Sequence, residues 1–275
     1  MTRLLLLLTT LSLSLPGLAV ERVISIGGDV TQIIYALGGQ QDLVARDSTS
    51  QHPAQVNKLP NIGYMRQLNA EGILAFKPTL VLVSELAKPS LVLQQLKEAG
   101  VNVVEVTGQN NIDAITEKIA TIGHALKREN QAKALNEKLN KQIAALPTQP
   151  LPVKVLFIMA HQGMNTLAAG TQTGADGAIR RAGLINAMAA VPHYQTLSQE
   201  GIVVAAPDLV VVGEDGLRTL GGEDKLWSLP GLALTPAGRH HALFVVDEMA
   251  LLSFGLDTPS AIRELRRAAE AVRHD

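Results

Sequence analysis

Tyr64 and Arg66 are the residues whose types and spacing most directly suggest chemistry. They lie in Leu59-Pro60-Asn61-Ile62-Gly63-Tyr64-Met65-Arg66-Gln67-Leu68, a segment that Pro60 and Gly63 keep out of regular structure. In extended backbone, residues i and i+2 share a face, so the Arg66 guanidinium can lie beside the Tyr64 hydroxyl and favour its ionised form. A phenolate oxygen is one of the few protein groups suited to ferric haem. A tyrosine is more commonly a packed ring with a satisfied hydroxyl, and that alternative stands beside the ligand reading. His161 is the second candidate. It directly follows a β-rich run, 155–159, which places it at a carboxyl-end crevice of a parallel sheet, within the polar loop Gln162-Gly163-Met164-Asn165. It could bind the same iron from the opposite side, bind a second, stacked haem, or be a surface histidine. His193 and Tyr194, after Pro192, are the weaker alternative.

Other chemistries lack their residues. The chain has no G-x-S-x-G elbow, no G-x-x-x-x-G-K-[ST] loop and no H-E-x-x-H pair. Gly27-Gly28 only echoes a dinucleotide fingerprint, because the third glycine is missing. With no cysteine, thiolate catalysis and iron–sulfur ligation are excluded. The seven histidines show no H-x3-H spacing, so a zinc or manganese site would need convergence in space. Lys and Arg total 24 against 25 Asp and Glu, a balance that does not suit a nucleic-acid binder. Arg180-Arg181 and Arg263, Arg266 and Arg267 read as solvated helix faces, although one could meet an anionic group. Trp227 reads as core.

Residues 1–19 read as a secretory leader: Arg3, an apolar stretch of about a dozen residues, then Pro16-Gly17-Leu18-Ala19 as breaker and cleavage site. The stretch is shorter than the roughly 20 apolar residues of a membrane span. Export to a bacterial periplasm follows, without a lipid anchor, since no cysteine could carry one.

The elements that must position these residues follow a βα alternation. Strands are expected at 22–26, 43–46, 80–83 and 101–106, with a helix over 89–99 and Asp29 as an N-cap answered by Gln32. Apolar residues at 112, 115, 119, 122 and 126 mark one helix, and those at 135, 139, 143 and 146 a second. The second is expected over 128–147, stopped by Pro147 and Pro150, and roughly 28 Å long at 1.5 Å per residue. A repeat spans this helix. Glu71-Gly72-Ile73, four residues, then Pro78-Thr79-Leu80-Val81-Leu82-Val83 recurs as Glu200-Gly201-Ile202, four residues, then Pro207-Asp208-Leu209-Val210-Val211-Val212. Each copy reads as a short helix starting at its Glu and feeding a buried strand. The organisation expected is α/β: two similar lobes with mostly parallel sheets, 20–127 and 148–275, joined by one long bridging helix, 128–147. A ligand cleft would lie between the lobes.

The run from Arg22 to Val83, with Gly27-Gly28-Asp29-Val30-Thr31-Gln32, Asp47-Ser48-Thr49-Ser50 and Gly63-Tyr64-Met65-Arg66-Gln67-Leu68, resembles the periplasmic haem-binding proteins of bacterial haem ABC importers. Leu226-Trp227-Ser228-Leu229-Pro230-Gly231 resembles their second lobe. The resemblance spans essentially the whole mature chain, within a wider family that also carries cobalamin and ferric siderophores. It implies two α/β lobes bridged by a rigid helix, and a binding protein rather than an enzyme. Haem would be the transported ligand, with Tyr64 as axial iron ligand, Arg66 as its electrostatic partner and His161 as a possible second iron ligand. It also implies a monomer that docks on the permease dimer of an inner-membrane importer, with its ATPase, through Glu71 and Glu200; helix-dipole complementarity is the other reading of these glutamates. The alternative cargo is cobalamin or a ferric siderophore. With only eight aromatic residues, a cleft lined by several aromatic side chains for an aryl siderophore is not expected.

Overall fold

The β-branched runs of the first half pair into one sheet. In the computed structural model, which describes residues 21–272 except 88 and 164, the elements before residue 107 are β1 (Val23–Ile26), α1 (Gly28–Ala36), β2 (Leu43–Arg46), α2 (Ala70–Leu74), β3 (Leu80–Ser84), α3 (Ser90–Glu98) and β4 (Asn102–Val106). The four strands are all parallel in the order β2-β1-β3-β4. Then come α4 (Asp113–Ala125) and α5 (Glu129–Ala144). The second half contains β5 (Lys154–Met159), β6 (Leu167–Ala169), α6 (Gly174–Arg181), β7 (Ile185–Asn186), β8 (Tyr194–Thr196), α7 (Gln199–Ala205), β9 (Leu209–Gly213), α8 (Glu214–Leu220), α9 (Glu223–Trp227), α10 (Pro236–His240), β10 (Leu243–Val246), α11 (Glu248–Leu252) and α12 (Thr258–Val272). The predicted leader and residues 273–275 lie outside the described residues.

The second sheet is mixed. β10, β9, β5 and β7 pair in parallel, whereas β6 runs antiparallel to both β5 and β8. Two α/β lobes are therefore present, and the departure from an all-parallel pattern is carried by β6, the strand that follows the His161 loop, in its pairings with β5 and β8.

Strand alternation divides the core into layers. Ile24, Ile26, Val81 and Val83 face one cluster under the first sheet. Leu156, Ile158, Val210 and Val212 face another under the second. The opposite faces, Val23, Leu80 and Leu82 together with Val155, Phe157 and Val211, join a single cluster through Ile115, Ile119 and Ile122 of α4 and Leu139 of α5. The two lobes thus share one continuous core.

The connection between the sheets is a helical hairpin rather than a lone rod. The Asn136 amide donates to the Thr116 carbonyl and a Cβ on Gly123 would meet Ala132, pairings that run antiparallel along α4 and α5. The second helix spans 129–144 rather than 128–147, about 24 Å. Arg128 has non-helical dihedrals at the N-cap, and Ala145 closes the helix two residues before Pro147.

Two local expectations are corrected and a third holds. Asp29 is not an N-cap: Gly27 occupies that position, and the Asp29 carboxylate is taken by Lys118. Lys118 sits on the buried stripe of α4, where a basic residue is out of pattern. Arg266 is buried rather than solvated; it donates to the carbonyls of Gln149 and Ala182 and pairs with Glu270, which ties α12 to the start of the second lobe. Trp227 is core, and its indole N–H donates to Glu223 at 3.0 Å.

Candidate functional site

Tyr64 is positioned by a polar knot at the carboxyl ends of β1 and β2. Asp47, fully buried, accepts from the Gly27 and Thr49 amides and from the hydroxyls of Thr49 and Ser50 at 2.6–3.0 Å. Four charge-assisted bonds to one carboxylate fix the backbone on both sides of the first βα turn. The chain then returns along β2: Arg46 N–H donates to Pro60, Ile62 N–H to Arg46, and Ser48 N–H to Gly63. Gly63 turns at φ 99°, a conformation open to glycine without strain.

From that point the segment is not extended. Gln67 N–H donates to the Tyr64 carbonyl at 2.8 Å, which closes a turn over 64–67. The reading that Tyr64 and Arg66 share one face of an extended strand is therefore corrected, and no hydrogen bond joins their side chains among the described residues. The turn forms because Met65 and Leu68 are drawn into the core under the first sheet, while Asn69 caps α2 by accepting from Gly72 N–H. Tyr64, 45% exposed, and Arg66 are left on the outside.

His161 leaves the end of β5 in an antiparallel connection to β6. Of its predicted polar loop, Met164 lies outside the described residues. The His161 imidazole Nε2 stands 3.5 Å from Glu248 Oε1. Glu248 opens α11 beyond β10, and its carboxylate also lies across the end of β9, where a Cβ on Gly213 would meet it at 2.7 Å. Burial raises the Glu248 carboxyl above the usual carboxylate range; His161 opposes that shift and Asp247 adds to it.

Tyr194, in β8, completes this wall. Burial pushes its hydroxyl up to about 12, Glu248 acts in the same direction, and the Arg66 guanidinium pulls it down. Arg66 thus acts electrostatically across the lobes, on Tyr194. The structure brings Arg66, Tyr194, Glu248 and His161 into one electrostatic neighbourhood with Tyr64 two residues from Arg66. The Tyr194 hydroxyl is thus the harder of the two candidate phenols to ionise in its own surroundings, and it stays beside Tyr64 as the weaker candidate. His193 is tied through its backbone to Gly170 and Thr171. Sequence reasoning missed Glu248; the acidic pair Asp247-Glu248 directly after a β-rich run, here 243–246, was the available signal.

On the flank, His52 reaches Asp247 at 3.7 Å and Gln32 donates to Asp257 at 3.0 Å, both across the lobes. A groove of about 780 Å³ between α1 and this strap contains none of the predicted ligands. Glu71 and Glu200 are both exposed, each the second residue of its helix, behind matching caps at Asn69 and Ser198.

The family model described as periplasmic binding protein matches residues 23–250. The chain belongs to the periplasmic binding protein family. Its members and the neighbours below are solute-binding proteins. The chain is 37% identical to the periplasmic haem-binding protein RhuT of Roseiflexus sp. RS-1, with a TM-score of 0.87 over 92% of this chain and 98% of that one. It is 35% identical, with a TM-score of 0.86 and the same coverage, to the periplasmic haem-binding protein BhuT in complex with two haems. Among curated relatives, a vitamin B12-binding protein of Yersinia pestis is 27% identical over 203 residues, 73% of this chain and 72% of its own. The two-lobe fold is the fold of these neighbours. Among the described residues no helix is long and apolar enough to cross a membrane.

Proposed function

We propose that this protein captures haem in the cleft between its lobes and delivers it to an inner-membrane ABC importer, and that it is not an enzyme. The observation that carries the reading is Tyr64, held outside the core on a built turn two residues from Arg66, whose charge reaches Tyr194 in the second lobe beside Glu248 and His161. The Tyr64 phenolate oxygen binds the ferric iron, and Arg66 balances the added negative charge. His161 ligates from the second lobe. The structural likeness to haem-binding proteins at 35–37% identity over nine-tenths of the chain supports haem above cobalamin, whose binding protein matches at 27% over 73%. Export with removal of residues 1–19 puts the protein in the periplasm, where it acts as a monomer.

Hemin titration followed at the Soret band tests the cargo. A saturable shift with a high-spin tyrosinate spectrum is expected from the wild type, and its absence rejects haem. Vitamin B12 titrated in parallel tests the alternative.

Glu71 and Glu200 dock the two lobes on the two permease subunits, because two exposed carboxylates in equivalent registers suit a two-fold partner. The double change Glu71→Ala with Glu200→Ala should leave the hemin titration intact while haem-stimulated ATP hydrolysis by the reconstituted importer collapses. Unchanged stimulation reduces both residues to helix-dipole complements.

A further inference from the structure

The imidazole of His161 faces a carboxylate at ion-pair distance. Nε2 stands 3.5 Å from Oε1 of Glu248, whose side chain is 16% exposed against 44% for His161. Glu248 is held on its own side by the fold. Asp247 caps α11 by accepting from the Met249 and Ala250 amides, and Gly213 leaves the space into which the Glu248 carboxylate fits. No larger residue fits at Gly213, since even a Cβ there would lie 2.7 Å from Oε2 and 2.9 Å from the Glu248 Cβ. The carboxylate is therefore placed by α11 and the end of β9, and the histidine, exposed in the β5–β6 connection, lies against it.

We propose that Glu248 is the positioning residue for His161, accepting the Nε2 proton so that Nδ1 carries the lone pair offered to the iron. The inference rests on the reading of His161 as an iron ligand and names what makes it one. A neutral imidazole exists in two tautomers, and the hydrogen bond made by one nitrogen decides which the other presents. A ligating histidine that donates its second N–H to a carboxylate is fixed in orientation and made more basic, an effect that commonly changes metal affinity by about 10–100-fold. A cation on Nδ1 makes Nε2–H a stronger donor, so the 3.5 Å contact tightens when His161 ligates. Tyr194 shares the field of the same carboxylate, so the second-lobe wall acts as one unit centred on Glu248.

Two measurements test this. The first uses the protein without hemin. Long-range proton–nitrogen NMR correlations at mildly alkaline pH should show His161 as the Nε2–H tautomer in the wild type and in Glu248→Gln, whose amide oxygen can still accept, and as a mixture in Glu248→Ala. The second is the hemin titration. Glu248→Ala should reproduce the change in spectrum or stoichiometry caused by His161→Ala, with the Tyr64-dependent high-spin band retained. Glu248→Asp withdraws the carboxylate by one methylene and should behave like Glu248→Ala, which covers the case in which the alanine variant folds poorly. A wild-type tautomer and spectrum in both Glu248→Ala and Glu248→Asp, even with lowered thermal stability, overturns the inference alone when His161→Ala is altered. A wild type that binds no hemin overturns the cargo reading and this inference together.

Discussion

Charged groups gather at the hinge and in the cleft, and the two sets are finished in opposite ways. At the hinge, Lys118 is 2% exposed and its Nζ donates to Asp29 at 2.5 Å, to the Ser253 carbonyl at 2.6 Å and to the Phe254 carbonyl at 3.1 Å. All three donors of the ammonium are used, one on the first lobe and two on the second. In the cleft, His161 and Glu248 meet at 3.5 Å, His161 and Tyr64 are nearly half exposed, and Arg66 reaches Tyr194 only through its field. The hinge is saturated and the cleft is under-paired. A saturated buried pair holds geometry, while groups with spare valence can accept a cargo without first breaking strong bonds.

The largest expected effect on cargo binding falls on the cleft. Tyr64→Phe should weaken hemin binding by at least about 100-fold, some 2.7 kcal/mol, because it deletes the anionic oxygen and keeps the ring. Arg66→Ala should weaken it less, and a loss confined to Arg66→Ala would move the site to a clamp on the haem propionates. An unchanged Tyr64→Phe titration would erase the distinction between a receptive cleft and a saturated hinge.

The next effect belongs to the hinge. Lys118→Met should lower stability by about 3–5 kcal/mol in urea unfolding, since Asp29 is left buried and uncompensated. Adding Asp29→Leu should recover part of this and not all, because the Ser253 and Phe254 carbonyls remain without their donor. A loss below about 1 kcal/mol, the range of surface pairs, would mean that the pair is not sealed from water.

Motion sharpens the contrast further. With one continuous core through α4 and α5 and the Lys118 bridge above it, small-angle scattering should give the same radius of gyration with and without hemin. A change of several ångströms would show that the hinge opens.

The smallest effect is read in the alkaline range. Tyr194 carries a hydroxyl raised from 10.0 to about 12, so the folded state retains a proton that the unfolded chain has lost. Stability from this group is complete below pH 10 and lost as the pH rises toward 12. Tyr194→Phe should remove that part of the alkaline slope. Arg66→Ala should raise the ionisation of Tyr194 further, and an unmoved titration would show that the guanidinium does not reach across the lobes.

The fold was legible where a single physical rule governs many residues. The apolar β-rich runs, the helical spacing on α4 and α5, and the repeat around Glu71 and Glu200 each reflect burial of apolar side chains. They anticipated two lobes and the helical connection between them. That Tyr64 lies outside regular secondary structure was legible because Pro60 and Gly63 interrupt it. Its relation to Arg66 was not, since i and i+2 share a face only in extended backbone and burial of Met65 and Leu68 makes a turn instead. Asp29 looked like a cap for the same reason: its local neighbours fit that role, and the competing partner, Lys118, lies 89 residues away.

The amino-acid sequence by itself determined which segments bury an apolar face, where glycine and proline break the chain, and that a phenol and an imidazole stand on separate halves. These are properties of local spacing and residue type. Only the tertiary structure decided the pairings: Lys118 with Asp29, His161 with Glu248, and Arg66 with the field of Tyr194. Coulomb energy and desolvation depend on distance and burial in space, and a buried charge takes whatever partner the packing of distant elements brings to it.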